Sequence, residues 1–313
     1  MKLVRVREQA RSASGTPSAR FALVVDDKVH RLPEHWGFAD AVRALHTGRL
    51  EDAEPSASAL DEWELLAPVP TPASMRDCVG FLQHIRNTRR SRGDLAPLGE
   101  VWQQRPGFYF SNPNSVHSAT AAVTIPPGCQ AFDFELEIAA VLGGGGRDLT
   151  AEEAEQLIAG YVLFCDWSAR DFQAEERAMQ IGLGKAKDAA ISLGPWILSA
   201  DEAAAFRRPD GLDIPVSASV NGERVTAPGT RYVGMDWSYG EIVAFASIGA
   251  DLVAGDVVAA GTVPTGCLLE HSATEGFRGW LADGDVVRLD AGPLGEIVSP
   301  VVASPTRAQW RQA

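Results

Sequence analysis

Residues 132–142, FDFELEIAAVL, constrain this chain more than any other stretch. Phe132, Phe134, Leu136 and Ile138 share one parity, while Asp133, Glu135 and Glu137 share the other. Successive side chains of a strand point to opposite faces, so the pattern predicts three carboxylates in a row backed by a core face. Neighbours two apart on one face lie ~7 Å from each other and repel when both are ionised. Two arrangements satisfy this: a half-exposed strand with a solvated acidic face, or oxygens converging on a hard divalent ion.

Composition narrows the classes. The chain has 313 residues, 45% of them hydrophobic and 22% charged, enough for one large domain or a large domain with a small companion. A net charge of −13, a pI near 4.9 and no basic tail argue against nucleic acid and against an anionic membrane surface. Residues 1–7 lack an apolar signal core and nothing later approaches a membrane span. The four cysteines, Cys78, Cys129, Cys165 and Cys267, are scattered and form no C-x-x-C, so reduced thiols in the cytoplasm are expected. Of the 28 cationic residues only four are lysines, and Lys185 and Lys187 share one short loop. A lysine is a compact charge whose pKa responds to burial, which Arg cannot imitate; the simpler reading of the pair is chance clustering on a solvated loop.

Residues 1–70 read as a small β-rich N-terminal domain. Strands are predicted over 3–6, 21–25 and 29–32, with Asp26-Asp27 as a turn. Asp40 is placed as the cap of a helix over 41–46 that ends at Gly48, and 51–64 reads as loop. The prolines of 68–72 make a stiff linker to a second domain, 71–313. There Cys78, Phe81, Leu82 and Ile85 recur at helical spacing and predict one helix carrying both Asp77 and His84. Arg86, Arg89, Arg90 and Arg92 follow, either complementing that helix's dipole or forming a rim for carboxylates.

Further on, 107–110 is a short aromatic strand. The glycines 143–146 match neither G-x-G-x-x-G nor the P-loop spacing and read as a flexible turn before a helix with Thr150 and Glu153 as its capping box. A strand over 161–164 runs into Asp166, Asn221-Gly222 marks a hairpin, and 240–246 reads as a helix. L-x-x-G-D-V-V occurs at 252–258 and at 281–287, each a turn into a strand.

Together these motifs carry a family resemblance. Asp133-x-Glu135-Leu136-Glu137, Asp166-Trp167-Ser168-Ala169-Arg170-Asp171-x-Gln173, Lys187 before Leu193-Gly194-Pro195-Trp196, and Gly255-Asp256-Val257-Val258 with Gly261-Thr262 stand in family order and spacing. Over roughly residues 75–300 the chain resembles the fumarylacetoacetate hydrolase family. Asp77 followed by Gln83-His84 places it near that family's fumarylacetoacetase-like branch. The resemblance implies an α+β, β-rich fold: a mixed β-roll preceded by a small SH3-like β domain. It implies Glu135, Glu137 and Asp166 as metal ligands, Asp77 as a fourth, and Asp133 in support. His84 and Glu270 would be the catalytic pair, with Lys187, Gln173 and Arg170 holding the oxygen that becomes negative, and Thr262, Tyr109, Arg177 and Arg92 on the substrate.

The implied reaction is hydrolysis of a C–C bond in a β-diketone or acylpyruvate, a 2,4-diketo acid, by water that His84 activates while a divalent cation stabilises the enolate. Mg²⁺ is the first expectation, with Mn²⁺ or Ca²⁺ behind it. The implied partners are a small keto acid and a second copy of the chain as a homodimer. The same scaffold supports decarboxylases, tautomerases and dehydratases of 2-keto-3-deoxy sugar acids, and a non-catalytic metal-binding member is a further alternative. The chain departs from fumarylacetoacetase at the substrate: Val79 and Arg177 stand where that enzyme has Tyr, Cys165 where it has Asn, 262–270 is shorter, and Arg92 is shifted by one. These departures imply a substrate other than fumarylacetoacetate.

Overall fold

Leu136–Leu142 is a central strand of a 13-stranded sheet, paired antiparallel with Ile158–Asp166 on one side and with Val257–Ala259 on the other. The computed structural model describes residues 1–8 and 18–306. All seven residues of the strand are buried. Leu136, Ile138, Ala140 and Leu142 enter one core with Tyr161, Tyr232, Tyr239 and Val287, while Ala139 and Val141 enter another with Leu3, Leu23, Leu45 and Val257. Each large aliphatic side chain so enclosed contributes about 1.5–3 kcal/mol. The half-exposed strand is therefore corrected: both faces are covered, and the acidic parity becomes apolar after Glu137.

The stretch is also not one strand. Phe132–Asp133 pairs with Ser168–Ala169 in a separate ladder, and the chain bends through Phe134 and Glu135 before the long strand begins. Backbone carbonyls and amides of the bend are used across the fold, with Leu136 N donating to Gly266 O and Asp166 N to Glu135 O.

The N-terminal β region extends the same sheet. Lys2–Glu8 pairs with Arg20–Val25 and also with Ile197–Ser199, so Leu3 faces Ile197 across a ladder. Asp26 and Asp27 take positive φ, as the predicted hairpin turn requires. Pro68 and Val69 are buried. The helix Phe38–Thr47 starts earlier than predicted: Gly37 is its N-cap and Asp40 is the third helical residue, its carboxylate accepting from Gly37 N at 3.2 Å. The segment read as loop holds a strand, Glu54–Ala59, that pairs with Lys28–Arg31. Glycines 143–146 lie close against neighbouring chain, and a Cβ on Gly145 would meet Leu252 O at 2.2 Å.

The helix predicted through Asp77 and His84 is corrected most sharply. Asp77 lies on the strand Met75–Cys78, held between Val257–Ala259 (parallel) and Phe108–Phe110 (antiparallel). Only after Gly80, where a Cβ would meet Ala260 O at 2.2 Å, does the helix Leu82–Ser91 begin. Its first turn is capped from afar by Asp236, which accepts from Leu82 N at 2.8 Å. Ladders on two sides outweigh a helical spacing of apolar residues that serves the core equally well from a strand and a turn. Other expectations hold: the Thr150–Glu153 capping box, the Asn221-Gly222 hairpin turn, the helix Tyr239–Ser247, and both G-D-V-V turns into Val257–Ala259 and Val286–Asp290. The whole is a β-rich mixed α/β fold with an N-terminal β region.

Candidate active site

Four carboxylates converge where these strands end. Asp77 comes from its strand, Glu135 from the bend, Glu137 from the central strand and Asp166 from the last position of Ile158–Asp166. One oxygen each of Asp77, Glu135 and Glu137 lie within 4.8 Å of one another. Lys187 Nζ draws Asp166 to the same centre: it donates to Asp166 Oδ2 at 2.5 Å, to Ser168 Oγ at 2.7 Å and to Glu135 Oε2. Tyr109 Oη joins Asp77 Oδ2 at 2.6 Å to Asp166 Oδ2. Thr262 Oγ1 and Gly261 N donate to Glu137 at 3.0 and 3.1 Å. Arg170, at the start of the helix Arg170–Met179, donates to Asp133 at 2.8 Å and to Glu135 at 2.7 Å.

Five buried acids, Asp77, Asp133, Glu135, Glu137 and Asp166, thus face two buried cations, Lys187 and Arg170. The imbalance appears in their protonation. Burial, with Asp166 next to it, raises Asp77 well above the usual carboxylate range. Burial, then Asp77, does the same to Glu137, and burial raises Asp166. Burial also opposes ionisation of Glu135, but Lys187 and Arg170 hold it below the usual range. For Lys187 burial favours the neutral amine, yet Asp166 and Glu135 raise its pKa and keep it an ammonium. Tyr109 has one proton to offer two carboxylates, so its geometry requires a proton or a cation between them.

The donor set fits a divalent cation. Asp166 Oδ1 is buried and has no hydrogen-bond partner, an orphan atom that a cation would satisfy. The carboxylates of Asp77, Glu135 and Glu137 beside it offer hard oxygens, the donors preferred by Mg²⁺, Mn²⁺ and Ca²⁺.

Beside this centre His84 Nδ1 lies 2.7 Å from Glu270 Oε1, while His84 Nε2 faces Glu135 Oε1 at 3.6 Å. Glu270 is fixed by Thr265 N at 2.9 Å and by the Asn87 amide. Asp133 bears on this pair from below: its oxygens accept from Leu268 N at 2.8 Å and Leu269 N at 3.0 Å, anchoring the turn Leu269–His271 that carries Glu270. Support was its expected part, and this is the form the structure gives it.

The expected substrate residues divide. Arg92, Arg177, Thr262 and Tyr109 all line one cavity of about 600 Å³ together with Asp77, His84, Glu135, Glu137, Arg170, Gln173 and Lys187. The Tyr109 and Thr262 hydroxyls, however, are engaged by ligand carboxylates. Lys187 has all three ammonium donors on protein oxygens, leaving none for a substrate oxyanion. Gln173 is freer: its carbonyl accepts from Arg170 at 3.3 Å, and its amide nitrogen has no hydrogen bond among the described residues.

Three contributors escaped the sequence reading. Asn87 stands one helical turn beyond His84, a spacing that could have been noticed. Ser168 sits inside the recognised motif. Glu176 gives no signal in sequence: its buried carboxylate accepts from Gly184 N at 3.2 Å, from Ala186 N at 3.3 Å and from Lys185 N, shaping the turn Lys185–Lys187. Glu176→Ala strands these amides and is expected to lower stability by about 1–3 kcal/mol. Glu176→Gln, which keeps acceptor oxygen, should recover part of it in urea unfolding. Equal stability of all three proteins would contradict this role.

A family model described as fumarylacetoacetate (FAA) hydrolase C-terminal matches residues 74–302. The chain belongs to this family. A mitochondrial oxaloacetate tautomerase of Homo sapiens is 28% identical over 243 residues, 77% of this chain and 70% of its own length. A fumarylacetoacetase of Oryza sativa subsp. japonica is 28% identical over 291 residues, 76% of this chain and 67% of its own. Among solved structures, a fumarylacetoacetate hydrolase from psychrophilic Exiguobacterium antarcticum superposes with a TM-score of 0.71 at 24% identity, covering 97% of this chain and 100% of that one, a likeness of fold. Family membership agrees with a carboxylate centre; the relatives' names span tautomerase and hydrolase.

Proposed function

We propose that this chain is a divalent-cation-dependent hydrolase that cleaves a C–C bond in β-diketone or 2,4-diketo acid substrates. The observation that carries the reading is the buried His84–Glu270 pair opening onto four carboxylates. Held by Asp77, Glu135, Glu137 and Asp166, the cation would supply Lewis acidity to the dicarbonyl oxygens. With its Nδ1 proton donated to Glu270, His84 keeps Nε2 as a base on the cavity side. His84 takes a proton from water there as the water oxygen adds to the ketone carbon, and Glu270 stabilises the imidazolium. The Gln173 amide is the available donor for the oxygen that becomes negative. Collapse returns that charge to a carbonyl and breaks the C–C bond; the electron pair leaves with the departing carbon, which His84 can protonate. Lys187 and Arg170 hold Glu135 ionised and in place throughout.

Keto–enol tautomerisation is the second reading, favoured by the names of the oxaloacetate tautomerases among the relatives. His84 could move a proton between carbon and oxygen without adding water. A panel of 2,4-diketo acids incubated with Mg²⁺ or Mn²⁺ separates the two. Loss of enol absorbance with two smaller acids released supports cleavage; loss with the carbon skeleton intact replaces it by tautomerisation.

A further inference from the structure

Beside the carboxylate centre lies a second group of metal-binding side chains, of different chemistry. A ring nitrogen of His84, Cys267 Sγ and one oxygen of Glu270 lie within 4.8 Å of one another, and all three residues are buried. Glu270 Oε1 is the meeting point: His84 Nδ1 lies 2.7 Å from it and Cys267 Sγ 3.9 Å. That long contact is the thiol's one side-chain hydrogen bond among the described residues, on a side chain closed off from solvent. The proposed cleavage makes no use of this thiol.

The fold holds the three groups in place. Cys267 and Glu270 stand three residues apart across the entry to the turn Leu269–His271, a spacing that brings side chains to one side of so tight a turn. The Cys267 backbone bridges to Glu135, and Asp133 holds the amides of Leu268 and Leu269 that follow it. Thr265 N and Asn87 occupy Glu270 Oε2, which leaves Oε1 to face the histidine and the thiol. His84 comes from the helix Leu82–Ser91 and lines the cavity, with Nδ1 turned toward Glu270.

Sulfur, imidazole nitrogen and one carboxylate oxygen are donors that suit Zn²⁺, whereas Mg²⁺ prefers a shell of oxygens. Zinc's usual bond lengths put tetrahedral N and O donors about 3.4 Å apart, and S and O donors about 3.6 Å. From 2.7 and 3.9 Å, the histidine and glutamate separate and the thiol closes, each by less than about 1 Å. The fourth position is left to water.

We infer that His84, Cys267 and Glu270 form a soft-metal site, separate from the carboxylate centre, through which Zn²⁺ switches the enzyme off. On binding, Cys267 releases its proton to solvent and the ion takes Nδ1, so the proton of the neutral imidazole moves to Nε2, the nitrogen that faces Glu135. Protonated there, His84 cannot take a proton from water, while the carboxylates keep their hard ion. The loss of turnover rests on the hydrolase reading; the binding does not.

The test adds Zn²⁺, and separately Co²⁺, to Mg²⁺-saturated protein. Zn²⁺ should lower diketo-acid cleavage by about 10²-fold or more, the contribution of the base it captures, and chelator but not further Mg²⁺ should restore it. Co²⁺ should give a thiolate-to-metal charge-transfer band in the near ultraviolet. Cys267→Ser, with Cys267→Ala as the apolar alternative at a buried position, should keep cleavage in Mg²⁺ alone and lose the band. Both variants should need about tenfold more Zn²⁺ or beyond for equal inhibition. Zinc sensitivity equal in wild type and variants puts the zinc on the carboxylates and overturns the site, as does a band that is missing from wild type or persists in the variants. A wild-type protein that shows the band and keeps its activity in Zn²⁺ overturns the switch. If no compound is cleaved even without zinc, the hydrolase reading fails instead, and the band in wild type against its loss in the variants still decides the site.

Discussion

Replacing His84 by Ala is expected to lower kcat for diketo-acid cleavage by about 10²–10⁴-fold, the usual contribution of a positioned general base. Divalent-cation affinity should stay within a few-fold, because His84 Nε2 approaches Glu135 at 3.6 Å without holding it, whereas Arg170 and Lys187 hold Glu135 directly. The fold should survive, since Glu270 keeps Thr265 N and Asn87 as donors. Steady-state kinetics give the first quantity and calorimetric titration with Mn²⁺ the second. Cleavage at the wild-type rate would remove His84 from the reaction and with it the hydrolase reading.

The second large effect is on stability, and its sign is unusual for carboxylates. Asp77, Glu137 and Asp166 have folded-state pKa values raised above their ordinary values, roughly 4 in an unfolded chain. The folded protein therefore binds more protons than the unfolded one, so their contribution is complete below about pH 4 and is lost as pH rises through the raised values. Glu135 is depressed and acts oppositely, losing its contribution as pH falls, but it is one group against three. Chelated protein should accordingly melt lower at pH 8 than at pH 5.5. A divalent cation takes the place of the missing protons, so its stabilisation should be larger at pH 8. At about 100-fold excess over Kd it would contribute ~2.7 kcal/mol. At roughly 2 °C per kcal/mol that is a rise in Tm of about 5 °C. Thermal melts with chelator or with Mg²⁺ at both pH values decide it. A chelated protein that melts higher at pH 8, or one indifferent to cations, would contradict a cation-binding centre.

Local features of the site were readable because local chemistry dictates them. From Asp166 to Gln173 the chain runs from a strand end through the short strand Ser168–Ala169 into the first turn of a helix, so a short motif carries Asp166 to the carboxylate centre and Arg170 and Gln173 to the cavity wall. The parity of Glu135 and Glu137 survives the bend before the central strand, and both reach the centre. Asp77 and His84 line one cavity, from a strand and a helix and not from a single helix. Seven residues apart suggested one helix, but a ladder on each side makes Asp77 a strand residue, and a turn at Gly80 swings His84 back toward it.

What the sequence alone determined is the set of chemical groups and their order: carboxylates at alternate positions, a rare lysine, a histidine near an aspartate. Those follow from residue type and from periods of two and 3.6, which need no distant partner. Tertiary structure decided which of these groups are free to act. Lys187 looks like an oxyanion donor until its three protons are found on Glu135, Asp166 and Ser168, residues 52, 21 and 19 positions away. Asp133, expected in support of the site, is given its form by long-range neighbours: Arg170 and two amides beyond residue 267 claim its oxygens. A buried polar group must be satisfied by whatever the fold brings next to it, and that neighbour is set by long-range packing.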